Sequence, residues 1–146
     1  MRILGIDFGD RHIGLALSDS LQLTAQPLET YRLRNQDDSD LKYFKALVLK
    51  HHIGEIVIGF PLRMDGSAGS RVEKTRAFAE WLKQAVGVPI IFWDERLTTH
   101  QAANVMREQK VKLKAKKSVI NQISAAIILQ GYLDSKRTDA YDTQDR

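Results

Sequence analysis

Arg2-Ile3-Leu4-Gly5-Ile6-Asp7-Phe8-Gly9-Asp10-Arg11-His12-Ile13-Gly14-Leu15-Ala16-Leu17-Ser18 holds two short apolar runs, residues 2 to 8 and 12 to 18, on either side of Gly9 and Asp10. Two strands joined by a tight hairpin are the expectation. Asp7 stands where the first of these runs ends, and burying a carboxylate there without partners would be costly. The hairpin also decides between two α/β architectures. A doubly wound nucleotide fold needs a helix directly after its first strand and a glycine-rich phosphate fingerprint at that turn, and this chain has neither.

Working outward, a third strand is expected over 26 to 34. After a polar turn at Asn35 to Asp40, Leu41, Phe44, Val48 and His51 recur at helical spacing. Residues 55 to 60 read as a strand ended by Pro61. Ser70 with Glu73 fits a capping box for a second helix, lined by Val72, Thr75, Ala79, Leu82 and Val86 and closed by Gly87 and Pro89. Residues 88 to 93 form the fifth strand. Thr98 with Gln101 repeats the capping pattern for a short helix to about Arg107, and a last helix runs from Ser118 to about Asp134. The order predicts an RNase H-like mixed five-stranded sheet flanked by helices, in a single α/β domain. An antiparallel meander supplies one half, and right-handed crossovers add parallel strands beside strand one. The domain covers 1–134, and 135–146 reads as a polar, disordered tail.

The 146 residues are 43% hydrophobic and 27% charged, enough for one globular domain with a real core. There is no cysteine, which excludes disulfides, thiolate metal sites and a cysteine nucleophile. No apolar run approaches the roughly 18 residues of a membrane span, and the first residues lack the zones of a signal peptide. A cytoplasmic protein is the expectation. The net charge of +4 permits a polyanionic partner but does not demand one.

A second acid cluster, Asp94-Glu95-Arg96, follows the apolar run Val88 to Trp93. Strand alternation lets only one of the two carboxylates face a given cleft, and Glu95 is favoured as a metal ligand beside Asp7. Arg96 would then hold a phosphate, whereas the plainer reading is an exposed turn with an Asp-Arg pair. Hydrolysis of a phosphodiester by divalent metal needs hard oxygen ligands converging from separate elements, and two strand-end acids meet half of that need. The last helix offers no carboxylate between Ser118 and Leu133, so Asn121 is the nearest polar candidate.

The loop from Gly59 to Gly69 combines three glycines with Arg63 and feeds a helix N-terminus, a setting that offers amides to anions or merely connects strand to helix. It lacks the lysine and spacing of a Walker loop. Lys110, Lys112, Lys114, Lys116 and Lys117 put five cations within eight residues, a solvated face on its own but a nucleic-acid contact beside a metal site. His51, His52 and His100 are explained by capping or packing.

Three segments in order carry a resemblance: Gly5-Ile6-Asp7-Phe8-Gly9 with Gly14-Leu15-Ala16, Gly59-Phe60-Pro61-Leu62 with Met64-Asp65-Gly66-Ser67, and Asp94-Glu95-Arg96-Leu97-Thr98-Thr99. Together they resemble the YqgF family, also described as RuvX-like, Holliday junction resolvases or pre-16S rRNA nucleases. The resemblance spans residues 1 to 134. It implies an RNase H-like fold, a nuclease using Mg2+ or Mn2+, and maturation of the 5′ end of 16S ribosomal RNA in the bacterial cytoplasm. Asp7 matches the family's first-strand metal acid and Glu95 the acid after the fifth strand. Asn121 departs from it, standing where the family usually has the aspartate of its last helix; an amide oxygen can bind metal but brings no charge, so a weakened nuclease is expected.

Nucleic acid is thus the expected partner, precursor rRNA or branched DNA, with ribosomal particles in reach and a monomer or homodimer as the species. A symmetric junction resolvase would need the two-fold dimer. A binding module with lapsed catalysis rests on Asn121 alone. A sugar-kinase-like ATPase would need two lobes, and 146 residues supply one.

Overall fold

The computed structural model describes residues 1–60, 69–95 and 117–144, with side chains in the last stretch described from 119 to 137. Its elements are β1 (Arg2–Asp7), β2 (His12–Ser18), β3 (Ala25–Arg32), α1 (Asp38–His51), β4 (Ile53–Phe60), α2 (Ser70–Val86), β5 (Ile90–Asp94) and α3 (Lys117–Gln144). They form one five-stranded sheet in the order β3-β2-β1-β4-β5. The hairpin pairs β1 with β2 antiparallel, Asp7 opposite Gly14, and β3 continues the meander. On the other side β4 runs parallel to β1, with Ile6 beside Ile58, and β5 parallel to β4. This is the mixed sheet expected from the sequence.

Strand alternation sorts the core into two layers. Leu4, Ile6, Ile56 and Ile58 point to one face and pack with Phe44 and Leu47 of α1 and Phe78 and Leu82 of α2. Ile3 and Val57 point to the other, against Ala125, Ala126, Ile128, Leu129 and Leu133 of α3. Each such side chain taken from water contributes roughly 1.5–3 kcal/mol. The β3–α1 turn is pinned by Asp40, which is fully buried. Its carboxylate accepts hydrogen bonds from the Arg34 amide at 2.9 Å, the Gln36 amide at 2.8 Å and the Tyr31 hydroxyl at 2.6 Å. Burial together with this bond pushes the Tyr31 hydroxyl up to about 12.

Several local expectations differ from the structure. The N-cap of α2 is Gly69, with no side-chain cap bond, so Ser70 and Glu73 form no capping box and Ser70 is already helical. The buried stripe of α1 runs through Asp40, Phe44 and Leu47, not Leu41 and His51. The last helix continues past Asp134 to Gln144; no proline or glycine interrupts that stretch. The short helix expected from Thr98 lies outside the described residues.

Candidate active site

The parallel strands β1, β4 and β5 end along one edge of the sheet. Asp7 closes β1, Phe60 closes β4, and Glu95 follows directly on β5. Alternation puts Asp7 on the face of Ile3 and Gly5, the α3 face. It puts Glu95 on the face of Trp93, whose ring meets Gly131 and Tyr132 of α3. Asp94 falls on the opposite face, in register with Phe60.

Between the two acids lies β4, and at its end Gly59 leaves the needed space. A Cβ there would stand 3.3 Å from the Glu95 carboxyl carbon and 2.5 Å from Ile128 Cδ1. Glu95 is raised above the usual carboxylate range, first by burial, then by the negative charge of Asp7; Asp94 adds to the shift and Arg71 opposes it. The charge of Asp7 therefore reaches Glu95 on the same face of the sheet.

Helix α3 reaches the same point through another glycine. A Cβ on Gly14 would fall 1.9 Å from the backbone oxygen of Asn121, so only a residue without a side chain lets the helix lie this close. Gly14 is the register partner of Asp7, and the backbone of Asn121 is thereby set over β2 at the level of that acid. The helix cannot slide along the sheet easily. Gln130 accepts a hydrogen bond from the Ala25 amide at 2.9 Å, and the Tyr132 hydroxyl donates to Glu55 at 2.6 Å.

Arg71, in the first turn of α2, was not singled out by the sequence. Its guanidinium donates to the Phe8 carbonyl at 3.3 Å and its charge bears on Glu95. A cation at the start of the helix that follows the glycine-rich loop was the available signal. Nearby, Lys74 pairs with Asp10 at 3.6 Å, an exposed contact of small energetic weight. Arg63, Arg96, Lys110, Lys112, Lys114 and Lys116 lie outside the described residues. Lys117 opens α3, and its side chain lies outside them too. Among the described residues no three His, Asp or Glu side chains cluster as a metal cage. No helix searched among them is long and apolar enough to cross a membrane.

The model of the RuvX family, described as Holliday junction resolvase, matches residues 1–135. The chain belongs to the RuvX family. As a RuvX protein it is 47% identical over 134 residues to a protein of Halothermothrix orenii, covering 92% of this chain and 95% of that one. It is 48% identical over 137 residues to one of Acetivibrio thermocellus, with 93% and 97% covered. Both relatives carry the name "Putative pre-16S rRNA nuclease". Among solved structures, this RuvX chain shares its fold with Thermus thermophilus RuvC in complex with a Holliday junction substrate, at TM-score 0.58 and 17% identity, covering 94% of this chain and 96% of that chain. The fowlpox virus Holliday junction resolvase follows at TM-score 0.55 and 10% identity, with 93% and 99% covered. These likenesses bear out the RNase H-like fold and the family expected from the sequence.

Proposed function

We propose that this chain is a divalent-metal-dependent endonuclease that hydrolyses phosphodiester bonds in the 5′-end maturation of precursor 16S rRNA, in the cytoplasm. The observation that supports the reading is that Asp7 and Glu95 fall on the α3 face at the strand-end edge, with the Glu95 carboxyl against Gly59 and raised by the charge of Asp7. Two carboxylates near enough for the charge of one to raise the other suit a hard dication that relieves the repulsion. Asp7 and Glu95 would hold Mg2+ or Mn2+, with Asn121 supplying a neutral oxygen. Such an ion, when bound, activates water and stabilises the leaving oxygen.

The protein's own part is placement. Arg71 sits close enough to Glu95 to be felt by it and offers a cation to a substrate phosphate. Arg63, Arg96 and the lysines at 110, 112, 114, 116 and 117 extend that role along the strand by charge. With an amide at position 121 the site has one negative charge fewer than three acids would give, so metal affinity is reduced and activity with it.

Cleavage of branched DNA is the second reading, and the description of the family model favours it. The two are separated by incubating wild type and Asp7→Asn with Mn2+ on precursor rRNA and on a four-way DNA junction in parallel. Cleavage of the RNA alone, abolished by Asp7→Asn, supports the first reading. Cleavage of the junction alone supports the second, and activity surviving in Asp7→Asn removes both.

A further inference from the structure

On the face of the sheet opposite the carboxylates, α2 and the ends of β4 and β5 enclose a groove of about 430 Å3 that the nuclease chemistry does not use. Its floor is aromatic. The rings of Phe60 and Phe92 lie 4.8 Å apart, and the Arg76 guanidinium stands 5.3 Å over Phe60. Phe92 is 40% exposed, a large ring left open to solvent on the last strand of the sheet. Lys83 adds a second cation to the wall, and Glu80 stands between the two, leaving the lining basic by one charge.

From this we infer a stacking subsite for one unpaired nucleobase of a single-stranded nucleic acid, in which Phe92 takes the base and Arg76 and Lys83 take the adjoining phosphates. The inference rests on the nuclease reading and adds to it that the strand is unpaired next to the bond that is cut. Every base has a flat π face, so an aromatic platform rimmed with cations grips single strands without reading sequence. Bases in a duplex are already stacked on their neighbours and have no such face to give. The groove shares strand ends with the acidic edge: Phe60 is in register with Asp94, which precedes Glu95, and Gly59 before it abuts the Glu95 carboxyl. The two cations against one carboxylate favour a polyanionic occupant.

The test uses the full chain in EDTA, so that nothing is cut and binding does not depend on the carboxylates. The probes are an unstructured RNA oligonucleotide carrying 2-aminopurine and a blunt duplex of the same sequence. Wild type quenches the single-stranded probe. Phe92→Ala abolishes the quenching and weakens single-strand affinity roughly tenfold, the size expected for one stacked base, while duplex affinity is unmoved; Phe92→Trp restores both readouts. Equal losses on the two probes, or no loss on the single strand, overturns the inference. So does Phe92→Ala converting a wild-type dimer to a monomer, which would make the groove an interface between copies. Cleavage surviving in Asp7→Asn would sink the nuclease reading and leave this binding result standing.

Discussion

The negative charge of Asp7, at the end of β1, raises the proton affinity of Glu95, just beyond β5, across the width of the intervening strand β4. Burial contributes the larger part of that shift and Asp7 the next. A dication held between the two would relieve that repulsion.

Glu95→Gln removes one of two mutually repelling charges and keeps the shape, so it should raise the melting temperature of the protein in EDTA slightly, the gain being reduced by solvent screening. The direction with pH follows from the sign of the shift. A carboxyl raised in the folded state favours folding below its ordinary 4.5 and loses that contribution as pH climbs through the higher folded value. The gap between variant and wild type should therefore be absent in acid and full at neutral pH. Calorimetry across that range checks it; a variant less stable than wild type at pH 7 in EDTA contradicts it.

Asn121→Asp should raise cleavage at limiting Mn2+ by roughly tenfold through a tighter metal, since a carboxylate replaces a neutral oxygen. Single-turnover rates against metal concentration read this directly. Unchanged metal dependence would remove Asn121 from the site.

Gly14→Ala places a methyl carbon 1.9 Å from the Asn121 backbone oxygen, and that oxygen belongs to a helix that cannot yield alone. We expect a loss of about 3 kcal/mol in urea unfolding, and, in the protein that remains folded, lost activity as α3 is pushed off β1 and β2. Wild-type stability would show that the helix is not held against the hairpin.

Asp40→Ala strands the amides of Arg34 and Gln36 and the hydroxyl of Tyr31. Stability should fall by about 3 kcal/mol. The acid is remote from catalysis in this account, so the metal titration of the folded variant should match wild type.

The hairpin and the parallel strands were legible because residues 2 to 8, 12 to 18 and 55 to 60 are short, mostly apolar runs bounded by turn residues, and such runs have few alternative uses. Strand alternation said that Asp94 and Glu95 could not both face one cleft, and the register of Asp94 with Phe60 puts the two on opposite faces of the sheet. What local pattern could not supply was anything set by packing between distant segments. Asp40 looks like a turn residue until donors from β3 and the turn after it, Tyr31, Arg34 and Gln36, close on it. Ser70 has the chemistry of a cap, yet the backbone of Gly69 takes that position. Arg71 becomes notable only when the fold sets it against Phe8 and Glu95. Gly14 reads as one small residue in a strand, and its purpose appears when α3 is laid over it.

Crystals grown with Mn2+ and measured at its absorption edge test the shared-cation claim most directly. The account predicts an anomalous peak bonded to carboxylate oxygens of both Asp7 and Glu95, at about 2.0–2.3 Å. A peak held by other residues, or none between these two in a crystal that cleaves substrate on soaking, would contradict it.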